Sequence, residues 1–155
     1  IMKNGSKIMS LIDGSKKMSK SDPNEGSRIN LLDTPEIITK KIKRAKSDSY
    51  IGIEFNNPER AESKNLLMIY SILSGKDISQ CENEFSETGW GTFKKLIAEQ
   101  LIESLTPIQE KYKVLINDPH QLNNILQDGR EKAEDLANKT LKRVKSKLGF
   151  FEMEK

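Results

Sequence analysis

The chain has 155 residues, of which 35% are apolar and 32% charged, with a formal net charge of +3. That suffices for one ordinary domain with a core, or one domain with an extension, and no apolar run approaches the roughly 20 residues of a membrane-spanning helix. Cys81 is the single cysteine, which excludes an internal disulfide or a zinc cluster and fits a reducing compartment.

The first residue is Ile rather than Met, no signal peptide is visible, and Ile1-Met2-Lys3-Asn4-Gly5-Ser6-Lys7 does not read as the opening of a domain. A piece of a longer chain is expected. Residues 1–33 are rich in Gly, Ser, Lys and Asn, interrupted by two apolar pieces, Ile8-Met9-Ser10-Leu11-Ile12 and Ile29-Asn30-Leu31-Leu32. The first is too short for a helix and reads as a short strand. The long polar loop between the two has the length of a functional or disordered segment.

From residue 34 the pattern turns helical. Thr34 is a good N-cap, Pro35 suits the first helical position, and Ile37, Ile38, Ile42 and Ala45 make one stripe. Residues 50–61 read as a loop. A second helix is expected from Glu62 to Leu73, apolar over most of its surface and therefore central, and closed by Gly75. Asp77 caps a short helix reaching Phe85, and Thr88-Gly89-Trp90-Gly91 is a turn. Phe93 to Ile116 is the longest periodic run, with Pro107 expected to kink it. Asp118 and Pro119 start a short helix to Leu126, Asp128-Gly129 breaks it, and a last helix carries Ala133, Leu136, Ala137, Leu141, Val144 and Leu148 to Gly149.

The expected fold is mainly α. It is a helical bundle over residues 34–155, with a strand and loop over residues 1–33.

Single residues follow the same logic. Tyr70, Tyr112, Met68, Phe85 and Phe93 are expected in the core, and Trp90 packs over a helix end rather than stacking on a base. Cys81 is a packed thiol and His120 a surface residue. Two basic runs, Lys40–Lys46 and Lys139–Lys147, are compatible with phosphate contacts but are read as solvated helix faces.

The chemistry concentrates in Gly14-Ser15-Lys16-Lys17-Met18-Ser19-Lys20-Ser21-Asp22-Pro23-Asn24. Lysine is a compact charge on a flexible arm. Lys17 and Lys20, three apart in a mobile polar loop, could close on a polyphosphate and neutralise the charge that builds on departing pyrophosphate. The same spacing occurs in disordered basic linkers, so spacing alone leaves both readings open.

Lys17-Met18-Ser19-Lys20-Ser21 is identical to the second signature of class I aminoacyl-tRNA synthetases. With Ile8-Met9-Ser10-Leu11 before it and Asp22-Pro23-Asn24 after it, the segment resembles the bacterial-type tryptophanyl-tRNA synthetases. The resemblance continues through Ile37–Asp48, Asn65-Leu66-Leu67, Leu73-Ser74-Gly75, Gly91-x-Phe93-Lys94, Pro107–Tyr112 and Asp128-Gly129. It implies ATP-dependent joining of tryptophan to its tRNA through tryptophanyl-adenylate, with Mg2+ arriving on the ATP and no protein metal ligands.

By the same resemblance, Lys17 and Lys20 stabilise pyrophosphate. Ile8, Lys17, Met18, Ser19, Lys20 and Ser21 contact ATP, with Met18 near the adenine through its backbone. Residues 1–33 are then the end of the nucleotide-binding domain and 34–155 the anticodon-recognition domain, whose tRNA-contacting residues stay unassigned.

The implied parent enzyme is cytoplasmic, needs no membrane, and dimerises through the part absent from this sequence; the fragment alone is expected to be inactive. Three features depart from the family pattern. The first, histidine-containing signature is missing. Ala61-Glu62-Ser63-Lys64 stands where relatives often have a Pro-Gly turn. Arg28 receives no role. The competing readings are a stand-alone tRNA-binding module that ignores ATP, and a purely structural helical protein.

Overall fold

The structure is a computed structural model and describes residues 5–150. The chain divides into two compact units, Ile1–Gln109 and Glu110–Lys155. Five α-helices are found among the described residues: α1 Pro35–Arg44, α2 Ala61–Ser74, α3 Ile78–Glu84, α4 Trp90–Ile116 and α5 Pro119–Leu148, with a single 3-10 turn at Glu25–Ser27 before them. None is long and apolar enough to cross a membrane.

Local chemistry accounts for the helix ends. The Thr34 hydroxyl accepts the Ile37 N–H, Pro35 sits in the first turn, and Lys41, Lys43 and Arg44 lie in the last turn of α1, where cations complement the helix dipole. The carbonyls at that end meet a further cation, because Lys94 of α4 donates to Ala45 O at 2.6 Å and more weakly to Lys43 O. Burial in this position lowers the Lys94 pKa. Gly75 ends α2 in the left-handed region at φ 69°, where glycine carries no Cβ penalty. Asp77 and Gln80 form a reciprocal capping box on α3.

The core of the first unit joins α1, α2 and α4. Ile38, Ile42, Leu66, Leu67, Phe93 and Ile97 are buried there. Tyr70 meets Phe85 edge-on with centroids 4.9 Å apart, and Phe85 meets Phe93 at 4.7 Å. Cys81 is a fully buried free thiol, its pKa raised by that burial, so it packs as expected.

The loop between α1 and α2 wraps a buried cation. Arg60 donates twice to Asp48, at 2.8 and 3.0 Å, and once to Gly52 O at 2.7 Å. The Trp90 indole N–H reaches the same carboxylate at 3.1 Å, and one side of its half-buried ring packs against the core.

Four expectations are corrected. The strand at Ile8–Ile12 is a single antiparallel bridge, Met9 to Lys17. Among the described residues no strand lies on its other side, where the Asn65 side chain takes the Met9 backbone groups instead. Gly129 does not break the last segment, and α5 runs unbroken from Pro119 to Leu148. A glycine in a helix interior costs only about 1 kcal/mol, and the pairs Gln127–Glu131, Asp128–Lys132 and Arg130–Glu134 span it. Trp90 and Gly91 belong to the first turn of α4 rather than to a turn before it. Tyr112 is 44% exposed and Met68 only half-buried, so neither joins the core. In addition, α4 continues through Pro107 to Ile116, and α5 buries none of its residues.

Candidate active-site loop

Ile8–Ser10 and Lys16–Met18 run antiparallel as a small hairpin. Ser10 N–H donates to Lys16 O at 2.8 Å and Met18 N–H to Ile8 O at 3.0 Å. The reversal is made by Asp13, whose carboxylate accepts the Ser15 N–H at 3.0 Å and hydroxyl at 2.6 Å and pairs with Lys16 at 3.3 Å. The two Ser15 bonds chiefly hold its pKa below the usual carboxylate range.

Beyond Met18 the chain turns again. The Ser19 carbonyl and hydroxyl accept the Asp22 and Ser21 N–H groups. Asp22 then accepts the Asn24 N–H at 2.8 Å, and Asn24 the Gly26 N–H at 2.9 Å. The loop is thus a chain of short side-chain-to-backbone turns, as Asp, Asn and Ser favour.

The sequence-predicted site residues sort by exposure. Lys17, Ser19, Lys20 and Ser21 are exposed, while Ile8 and Met18 are half-buried. The acids around the lysines are engaged elsewhere: Asp13 with Lys16, Asp22 with Asn24, and Glu62 with Lys46 at 2.8 Å. No salt bridge holds Lys17 or Lys20 among the described residues, so both ammonium groups present their charge to solvent.

Ile8 and Met18 line an apolar cavity of about 220 Å³ together with Ile29, Ile42, Ile69 and Leu101. Met18 therefore pins the loop to the helical core while its two flanking lysines point charge outward. The Met18 N–H is committed to Ile8 O, which leaves its carbonyl as the backbone group free of that bridge.

Several residues that sequence reasoning passed over complete the loop. Arg28 donates to Asp22 O at 2.7 Å and to the Asn30 side chain at 3.1 Å, bracing the far side of the turn. Glu62 accepts the Gly14 N–H at 3.4 Å. Burial would raise the Glu62 pKa, but Lys46 and the backbone N–H groups bring it below the usual range. Asn65 binds both backbone groups of Met9. The signal for Asn65 was in the sequence: a polar side chain inside the apolar run of α2. His120 is exposed, facing Asn124 on α5.

The model of the class I tRNA synthetases (W and Y) matches residues 1–106. The chain belongs to this family. As a class I synthetase chain of the W and Y type it is 79% identical over 155 residues to a tryptophan–tRNA ligase of Prochlorococcus marinus, covering all of this chain and 46% of the relative. It is 47% identical over 148 residues to the chloroplastic/mitochondrial tryptophan–tRNA ligase of Arabidopsis thaliana, covering 96% of this chain and 36% of that one.

Among solved structures it matches a tryptophanyl-tRNA synthetase of Mycoplasma pneumoniae with a TM-score of 0.85 at 30% identity, covering 97% of this chain and 45% of that chain. The synthetase chain described here spans about half the length of the curated relatives it matches, 46% and 45% for the first two.

Proposed function

We propose that this chain supplies the pyrophosphate-stabilising loop and the tRNA-recognition helices of a tryptophan–tRNA ligase. In the complete enzyme the tryptophan carboxylate attacks the α-phosphorus of ATP. The bond to the bridging oxygen of the β-phosphate breaks, and pyrophosphate leaves. A ribose hydroxyl at the 3′ end of the tRNA then attacks the activated carbonyl, and AMP leaves. Lys17 and Lys20 act in the first step, where negative charge grows on the departing pyrophosphate, and their attraction rises toward the transition state. Ser19 and Ser21 add hydroxyls to the phosphate contacts, and Ile8 and Met18 border the nucleotide.

One observation carries this reading. The intact Lys17-Met18-Ser19-Lys20-Ser21 segment runs from the hairpin into the turn after it, with Lys17 and Lys20 exposed while Met18, half-buried, packs against the core.

In this reading residues 1–33 close the nucleotide-binding domain and 34–155 form the domain that reads the tRNA. The parent is a cytoplasmic homodimer joined through its other half. A cleft of about 460 Å³ between α1 and the start of α4 is lined by Trp90, Ala98 and Ile102, with Lys43, Lys94 and Lys95 and a single acid, Glu99, around them. Aromatic and basic groups so combined suit an unstacked nucleotide, and this cleft is our candidate tRNA contact.

The test is amino-acid-dependent ATP–pyrophosphate exchange by the full-length protein. Exchange stimulated by tryptophan and not by tyrosine supports the reading; stimulation by tyrosine refutes it. A protein that shifts tRNA in a gel but exchanges with neither amino acid is the stand-alone binding module.

A further inference from the structure

We propose that Asn65 is a positioning residue that clamps the lysine loop to helix α2, so that loop and helices move as one body. Its side chain is buried, with the residue 5% exposed. The amide oxygen accepts the Met9 N–H at 2.8 Å, and the amide nitrogen donates to Met9 O at 2.9 Å and more weakly to Ser10 O at 3.5 Å. Met9 is the residue that faces Lys17 across the hairpin, and its neighbours bond to Lys16 and Met18. The backbone of Lys17 therefore follows Met9, and Met9 follows Asn65.

The chemistry leaves little choice of side chain. In an antiparallel pair, the N–H and C=O of a residue such as Met9 point away from the partner strand, toward where a third strand would lie. A primary amide is the side chain that offers both donor and acceptor in peptide-like geometry. Asparagine is a mediocre helix former, yet here it stands inside the apolar run of α2 with its polar atoms satisfied, as burial demands.

Three further ties reinforce the clamp. Gly14 lies against the first turn of α2, where an added Cβ would fall 2.8 Å from the Ala61 carbonyl carbon. Glu62 receives the Gly14 N–H. The Lys46 N–H, just past α1, donates to Leu11 O at 2.7 Å. Any displacement of α2 relative to the nucleotide-binding half would thus be carried to Lys17 and Lys20. The coupling to catalysis rests on the reading of those lysines given above; the clamp itself does not.

Amide hydrogen exchange on the full-length protein tests the clamp. The readout is the protection of the Ser10 and Met18 amides divided by that of the α4 amides around Ile97 and Leu101, relative to the original chain at the same pH. In Asn65→Leu the ratio is expected to fall about tenfold or more, the factor that matches loss of a net favourable pair of hydrogen bonds. In Asn65→Asp it falls at pH 7, where a carboxylate faces the Met9 carbonyl. It recovers at pH 4, where the protonated acid again both donates and accepts. Glu62 with its partner Lys46, and Asp13 with Lys16, are the charged groups beside the clamp, and the original chain at each pH corrects for them.

An unchanged ratio in either variant, a uniform loss that leaves the ratio unchanged, or no recovery at pH 4 would overturn the clamp. In the full-length enzyme Asn65→Asp is expected to lower the exchange kcat with the KM for tryptophan retained. A loosened loop with unaltered kcat would refute the catalytic reading of the lysines instead, leaving the clamp standing.

Discussion

Replacing Arg60 by Met removes the charge that organises the start of α2 while keeping an apolar stem of similar length. The Arg60 side chain is 2% exposed and the Asp48 side chain 17%. Besides its two bonds to Asp48, the guanidinium holds Gly52 O and lies 3.6 Å from Glu54. The substitution leaves a largely buried carboxylate and an unpaired carbonyl, so the expected cost is about 3–5 kcal/mol at pH 7. That corresponds to a fall in Tm of roughly 6–20 °C.

The pH dependence carries a sign. Burial alone would raise the Asp48 pKa, but Arg60, the Trp90 indole N–H and the Tyr50 N–H bring it below the usual value. A depressed carboxyl contributes stability that is present above its unfolded pKa of about 3.9 and is lost as pH falls through the folded value. Without Arg60, burial is less opposed and the carboxyl rises, so the deficit of Arg60→Met against the original chain shrinks on acidification from pH 7 to about pH 4. Urea unfolding followed by circular dichroism at the two pH values measures both effects. A loss below about 1 kcal/mol at pH 7, the size of an exposed pair, would refute the reasoning, as would a deficit that grows on acidification.

Three more outcomes are expected. Gly14→Ala drives a methyl into the backbone of Ala61 and Glu62 at 2.8–3.0 Å, and overpacking of this kind costs about 1–3 kcal/mol; faster tryptic cleavage after Lys16, Lys17 and Lys20, with α4 intact, is the check. Gly129→Ala meets no atom within 4 Å and should stabilise α5 by about 1 kcal/mol, visible as increased helicity on heating, whereas a decrease would deny that α5 is continuous. Lys43→Ala and Lys95→Ala should each weaken tRNA binding and reduce the slope of log affinity against log salt by about 1; unaltered slopes would move the tRNA contact away from the α1–α4 cleft.

The helix boundaries were legible wherever capping chemistry is local. Thr34-Pro35 opens α1, Asp77 opens α3, and Gly75 closes α2. Gly129 misled because a single interior glycine costs only about 1 kcal/mol, too little by itself to end a helix. Tyr112 misled because periodicity gives an apolar face without saying what covers it. Ile8–Ile12 has the composition of a strand, but a strand needs neighbours, and here an asparagine from α2 takes the place of one. The lysine segment was legible as chemistry from charge, hydroxyls and spacing. Its anchoring through Asn65, Glu62 and Arg28 was not, because these residues meet the loop across up to 56 positions of sequence.

The central claim, that Lys17 and Lys20 handle the pyrophosphate while the helices handle tRNA, is tested most directly by one paired measurement. Lys17→Ala and Lys20→Ala are made in the full-length protein, and tryptophan-dependent ATP–pyrophosphate exchange is measured beside tRNA affinity. A loss of about 10²–10³ in exchange is expected for each lysine, the scale of a single transition-state donor, with tRNA affinity essentially unaltered. Exchange that survives both substitutions, or an equal loss of exchange and tRNA binding, would contradict it.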